Sequence, residues 1–244
     1  MNPDSPGRAV LLARKIEQGM AKFNNVEVVI APPYPFLIPV SRVLRRAKLG
    51  SQNTFWGDIG PYTGEVSWHQ LKHLGVGYII IGHSERKIYL GETDEMINNK
   101  VCSVLKAGIK VVLCIGEKKR EDNDIPSLVG EELRGALKNV SGRLLKNLII
   151  CYEPVWAIST MLGSSADSPE NAFKSLVYIR RILTGLYGRK RAGNVPIIYG
   201  GSVNALNIQG FLTEGKMQGA LVGGASLRAE EFANIVKQTA NALR

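Results

Sequence analysis

An α/β fold, a (β/α)8 barrel, is predicted for this chain by three observations. Short apolar runs alternate with longer amphipathic stretches along its whole length. Several of the runs are rich in Val and Ile, as parallel strands buried on both faces are. The 244 residues suit one such barrel, which takes ~250. No Pro/Gly/Ser-rich linker or shift of composition interrupts the pattern, so a single domain over 1–244 is expected.

Taken in order, the chain opens directly on a helix over 6–18. The apolar runs follow at 26–31, 48–53, 78–82, 110–115, 148–152, 195–199 and 220–222. Between them, Thr93 begins a segment with Met96, Ile97, Val101, Val104 and Leu105 at helical spacing. Ser168-Pro169-Glu170 reads as an N-cap, a first-turn proline and an early acid. Phe173, Leu176, Val177, Arg180 and Leu183 then give that helix a largely apolar face. Repeated strand–helix units imply a parallel sheet with right-handed crossovers. Seven strands and eight helices are expected, with the first barrel strand absent ahead of the opening helix. Without that strand, the runs beginning at Val26 and Gly219 become sheet edges, and the chain alone is expected to fold loosely.

Composition narrows the function classes. Hydrophobic residues make up 45% and charged ones 21%, which argues against disorder. No apolar run approaches the ~18 residues of a membrane span, and the polar start Met1-Asn2-Pro3-Asp4 lacks a signal peptide's pattern. Cys102, Cys114 and Cys151 form no CxxC pair, which fits a reducing cytoplasm. The net charge of +10 is read as a solvated basic surface that attracts anionic metabolites. Nucleic acid is not the expected partner, because the basic clusters carry no interleaved aromatic platform.

Barrel enzymes place their chemistry in the loops after the strands. Gly82-His83-Ser84-Glu85-Arg86 follows one strand end, and Tyr152-Glu153-Pro154-Val155-Trp156 follows another. Glu153, set among Tyr, Pro, Val and Trp, is a candidate base whose basicity desolvation would raise. His83 is a candidate acid or hydrogen-bond donor. Gly200-Gly201-Ser202 and Gly223-Gly224 offer backbone N–H groups able to cradle a phosphate. A carboxylate, an imidazole and a phosphate cradle on one rim suggest proton transfer on a small phosphorylated carbonyl compound. His69 and His73 have metal-compatible i, i+4 spacing, but the residues between them lack a metalloprotease glutamate, so surface histidines are expected.

The stretches 79–87, 114–117, 152–158, 199–204 and 221–227, in this order and spacing, resemble the triosephosphate isomerase family, whose fold is the TIM barrel. The resemblance runs essentially the length of the chain. It implies interconversion of dihydroxyacetone phosphate and D-glyceraldehyde 3-phosphate, with Glu153 shuttling the proton and neutral His83 polarising the carbonyl. It implies a lid over 154–166, an apolar slot of Ile158 and Leu221 around the carboxylate, and phosphate contacts near Ser159, Ser202, Gly223 and Gly224. Glu85 would support His83. Loop 53–66 would build a homodimer, with Thr63 reaching the partner's site. No cofactor or metal is implied.

Two departures qualify the resemblance. The family pattern Asn-Trp-Lys-Met-Asn is matched here only by Met1-Asn2, so its lysine has no counterpart in the sequence. A catalytically impaired barrel that still binds phosphate is therefore the alternative reading. The family has Gly where Ser159 and Met161 stand, and the lid is roughly three residues longer.

Overall fold

The computed structural model describes residues 2–120, 125–158 and 167–243. Six strands form one sheet: β1 (Val29–Ile30), β2 (Lys48–Ser51), β3 (Tyr78–Ile81), β4 (Lys110–Ile115), β5 (Leu148–Tyr152) and β6 (Ile197–Tyr199). Each pairs in parallel with the next in chain order. The seventh expected run contributes a single parallel bridge, Ala220 to Tyr199. Among the described residues, no pairing joins Ala220 to β1.

The helices between strands are more broken than eight continuous units. They are α1 (Pro6–Met20), α2 (Leu37–Ser41), α3 (Trp68–His73), α4 (Ser84–Leu90), α5 (Asp94–Lys106), α6 (Ser127–Ala136), α7 (Pro169–Tyr187), α8 (Arg189–Gly193), α9 (Ile208–Thr213) and α10 (Ala229–Ala242), with short 3₁₀ turns among them. Two crossovers are split, α4 from α5 at Gly91 (φ 63°) and α7 from α8 at Gly188 (φ 78°). Only residues tolerant of a left-handed backbone turn the chain so sharply. The starts follow local chemistry. Ser5, Thr93 and Ser168 accept hydrogen bonds from the N–H groups of Arg8, Met96 and Asn171, and Ser67 forms a reciprocal box with Gln70. None of the described helices is long and apolar enough to cross a membrane.

Side-chain alternation along the strands divides the core into two layers. Tyr78, Val112, Cys114 and Cys151 cluster on the concave side with Ile80, Ile149, Ile198 and Leu221. Their neighbours Ile79, Ile81, Val111, Leu113, Ile115, Ile150 and Tyr152 face the helices and join the main core. Both faces are apolar, the helix-facing one fully buried and the concave one in part, which is why these strands read as unbroken apolar runs.

One buried polar cluster is closely paired. Lys100 of α5 bonds Asn53 Oδ1 at 2.8 Å and forms an ion pair with Glu92, which Arg86 approaches at 3.4 Å. The cluster ties the root of loop 53–66 to the α4–α5 junction. Removing one partner of a buried pair strands the other charge, at a cost of about 3–5 kcal/mol. Glu92→Leu is thus expected to lower unfolding free energy by that amount, and the double variant Glu92→Leu/Lys100→Met to recover much of it. Denaturant unfolding of the four proteins checks this. A Glu92→Leu cost below ~1 kcal/mol, the worth of an exposed pair, would remove the cluster from its structural role.

Candidate active site

The site begins where β3 ends. Gly82 turns the chain with φ 77°, and a Cβ there would lie 3.1 Å from the Cys114 carbonyl oxygen. His83 follows as the N-cap of α4, and its Nδ1 accepts the Glu85 N–H at 3.3 Å. Only a neutral imidazole accepts at Nδ1, and such a ring carries its proton on Nε2. The Glu85 carboxylate stands 3.8 Å from the same nitrogen. Glu85 thus meets the ring through its backbone N–H.

Glu153 follows β5 and prolongs its ladder, its N–H donating to the Ile115 carbonyl at 2.8 Å. Gly116 allows this approach, since a Cβ at that position would fall 1.8 Å from the Glu153 carbonyl oxygen. The side chain is 2% exposed. Oε2 accepts the Ser84 N–H at 3.0 Å. Oε1 lies 3.2 Å from His83 Nε2, close but not aligned as a hydrogen bond, and is without such a partner among the described residues. Burial pushes the carboxyl pKa up. The nearby His83, the Ser84 N–H and the Cys114 thiol pull it back in part. A carboxylate held this way is a stronger base than one in water.

The segment after Glu153 is anchored from below. The Glu117 Oε1 atom accepts from Tyr152 Oη at 2.7 Å, Trp156 Nε1 at 3.1 Å and Arg120 Nε at 3.2 Å. Arg120 also donates to Tyr152 Oη and Ser175 Oγ, both at 2.7 Å. This network fixes the start of the expected lid, whose residues 159–166, Ser159 included, lie outside the described residues. Sequence reasoning gave Glu117 no role, although the stretch holding it had been singled out. The Ser84 N–H is not legible either, because its meeting with Glu153, 69 positions away, depends on how β3 and β5 are placed in space.

One cleft gathers most of the expected site residues: His83, Glu85, Ile158, Ser202, Leu221, Gly223 and Gly224. Glu153 is buried beside Gly200 of the same cleft. Gly223 and Gly224 are exposed, with open space where a Cβ would stand. The Ser202 N–H donates to the Ala157 carbonyl at 3.1 Å. Leu221 packs against the concave-side cluster that includes Cys114 and Cys151. Thr63 is exposed and does not line the cleft. His69 Nδ1 sits 3.0 Å from Asp58 Oδ1, and His73 Nδ1 lies 2.9 Å from the His69 carbonyl oxygen, so local partners occupy both rings.

A buried base, a neutral imidazole and an open glycine rim at the strand ends of a parallel barrel define a barrel enzyme that moves protons on a small anionic substrate. The comparisons with known proteins narrow the class. The family model described as triosephosphate isomerase matches residues 1–239. The triosephosphate isomerase of Caldanaerobacter subterraneus subsp. tengcongensis is 45% identical over 236 residues, 95% of this chain and 94% of that one. That of Thermoanaerobacter pseudethanolicus is 42% identical over 236 residues, with the same coverage. That of Geotalea uraniireducens is 41% identical over 218 residues, covering 88% and 86%. The chain belongs to the triosephosphate isomerase family.

The burial of Glu153 carries a stability signature. Its folded pKa stands above the ordinary 4.5. The folded state therefore holds the proton more tightly than the unfolded chain, and stability declines as pH rises from the ordinary value through the raised one. Above that window the ionised carboxylate destabilises the fold. Glu153→Gln is expected to melt higher than the wild type near neutral pH, with the gap closing as the medium is acidified. Thermal melts across pH check this, and a variant that melts lower at neutral pH would contradict it.

Proposed function

We infer that this chain interconverts dihydroxyacetone phosphate and D-glyceraldehyde 3-phosphate. The carrying observation is the Glu153 carboxylate, 2% exposed and 3.2 Å from His83 Nε2, beside a cleft rimmed by Gly223 and Gly224. Glu153 removes a proton from the carbon next to the substrate carbonyl and returns it to the neighbouring carbon. His83, protonated at Nε2, donates to the oxygen on which negative charge develops. Because the ring is neutral, it stabilises that charge without releasing a full proton to the intermediate.

The backbone N–H groups of Gly223 and Gly224 receive the phosphate, joined by those near Ser202 and Ser159. The Ser202 N–H is engaged with Ala157 in this state. Its recruitment requires the 154–166 lid to shift, which couples phosphate binding to closure. Ile158 and Leu221, on the cleft wall, close over the carboxylate and keep water from it. The setting is cytoplasmic glycolysis and gluconeogenesis.

The active form is a homodimer joined through loop 53–66. Ile59 is 78% and Tyr62 45% exposed at this loop, beside a packed Phe55–Trp56–Tyr62 group whose ring centroids lie 4.2 and 4.6 Å apart. Thr63, at the exposed tip, extends into the partner's site.

Two measurements test the reading. In a coupled assay, Glu153→Gln is expected to lower kcat by ~10²–10⁴, since an amide accepts no proton. His83→Gln is expected to lower it by ~10²–10³. Wild-type turnover in either variant would remove that residue from the mechanism. By light scattering the wild type is expected as a dimer at micromolar concentration and Ile59→Glu as a monomer, and a monomeric wild type would overturn the loop's assigned role.

A further inference from the structure

Beside the base lie two thiols that the isomerase reaction does not use. Cys114 of β4 and Cys151 of β5 are register partners across the parallel ladder. Glu153 stands two residues beyond Cys151, so strand alternation sends its side chain to the same face. The two thiol sulfurs and a carboxylate oxygen of Glu153 all lie within 4.8 Å of one another. The three residues are 1%, 0% and 2% exposed. Cys102, the remaining thiol, is on α5 and half-buried, away from this group.

We propose that Cys114, Cys151 and Glu153 form a binding site for a soft divalent cation of the zinc and cadmium class, whose occupation withdraws the base from its substrate.

The donor set suits such an ion. Thiolate sulfur binds zinc at ~2.3 Å and carboxylate oxygen at ~2.0–2.2 Å, so tetrahedral ligands stand roughly 3.5 Å apart. The observed spacing, within 4.8 Å, requires the three side chains to turn toward one another to reach that value. Hard cations such as magnesium, which favour oxygen ligands, are disfavoured by the two sulfurs. Glu153 Oε1 is buried without a hydrogen-bond partner among the described residues, so an ion could take it without breaking a hydrogen bond. Three protein donors leave one position open, as in zinc sites that bind water or substrate. Gly200 permits that opening, because a Cβ there would crowd Cys151 Sγ to 2.6 Å and Glu153 Cγ to 2.8 Å. Gly200 also lines the substrate cleft, which gives the ion its approach.

The binding step balances. Burial pushes both thiols up, so each is a neutral S–H in the absence of metal. The cation forms two sulfur bonds and one oxygen bond, and both thiol protons pass to solvent. Only the inhibitory consequence rests on the isomerase reading. The binding does not.

Cadmium is the probe, because its bonds to thiolate give an ultraviolet charge-transfer band. The full chain is titrated with Cd²⁺ alongside Cys102→Ala, Cys151→Ala and Cys114→Ala/Cys151→Ala, each checked for a cooperative melt. The band is expected to saturate at one ion per chain in the wild type and in Cys102→Ala. It is expected to be lost in the double variant and weakened in Cys151→Ala. Isomerase turnover should fall with Cd²⁺ or Zn²⁺ in the wild type and return with chelator, while Cys151→Ala keeps its turnover when the metal is added. No band in the wild type, or a band that survives the double variant, overturns the site. Should the double variant fail to fold, a single Cys151→Ala variant with an undiminished band does the same. A band that forms as expected while turnover is untouched overturns the inhibition alone. A wild type without turnover fails the isomerase reading and leaves the band as the test of the site.

Discussion

Keeping the Glu153 carboxylate out of water makes demands on almost every neighbour in the site. A buried anion needs donors, and the Ser84 N–H supplies one at 3.0 Å because His83 caps α4 and exposes the first amides of that helix. The backbone bearing the carboxylate must sit tight against the end of β4, which only Gly116 permits. The imidazole that shares the space is oriented by the Glu85 N–H, which donates to Nδ1 and leaves Nε2 facing the carboxylate. Replace any of these and the carboxylate either rotates toward solvent and loses basicity or stays buried without a partner.

A second set of contacts translates this arrangement into motion. Glu117 holds Tyr152, Trp156 and Arg120 together on the helix-facing side of β5. The Ala157–Ser202 hydrogen bond holds the other side of the same short segment. Between them, residues 152–157 are fastened at two points, one of them the Ser202 N–H that the proposed function assigns to phosphate. On the proposed function, substrate phosphate would compete with Ala157 for the Ser202 N–H, and its binding energy would be available to move the lid.

The sequence revealed most where one physical pressure acts alone. Residues 110–115 and 148–152 read as strands with their observed bounds, since both faces are apolar and no polar residue interrupts them. The run at 26–31 shortened to Val29–Ile30, and that at 220–222 shrank to one bridge. Their apolar character comes from packing, while strand assignment depends on ladder partners that no single run discloses. Glu153 and His83 stand out in the sequence because they come directly after the ends of strands, and the structure places them 3.2 Å apart. The Glu92–Lys100–Asn53 group was not, because Asn53 and Lys100 are 47 positions apart and read singly as ordinary surface polar residues. Ser202 was expected through its amide. That this amide already has a partner is a fact of three-dimensional proximity alone.

Strand alternation at the end of β5 has one more consequence. Cys151 and Glu153 point to the concave side, while Tyr152 between them points outward to Glu117. One stiff length of backbone therefore carries the reacting group on one face and the lid's fastening on the other. A change in the twist of this strand rotates both together. On the proposed function, such a rotation would alter the alignment of the base and the hold on the lid at once, so β5 would tie the two together.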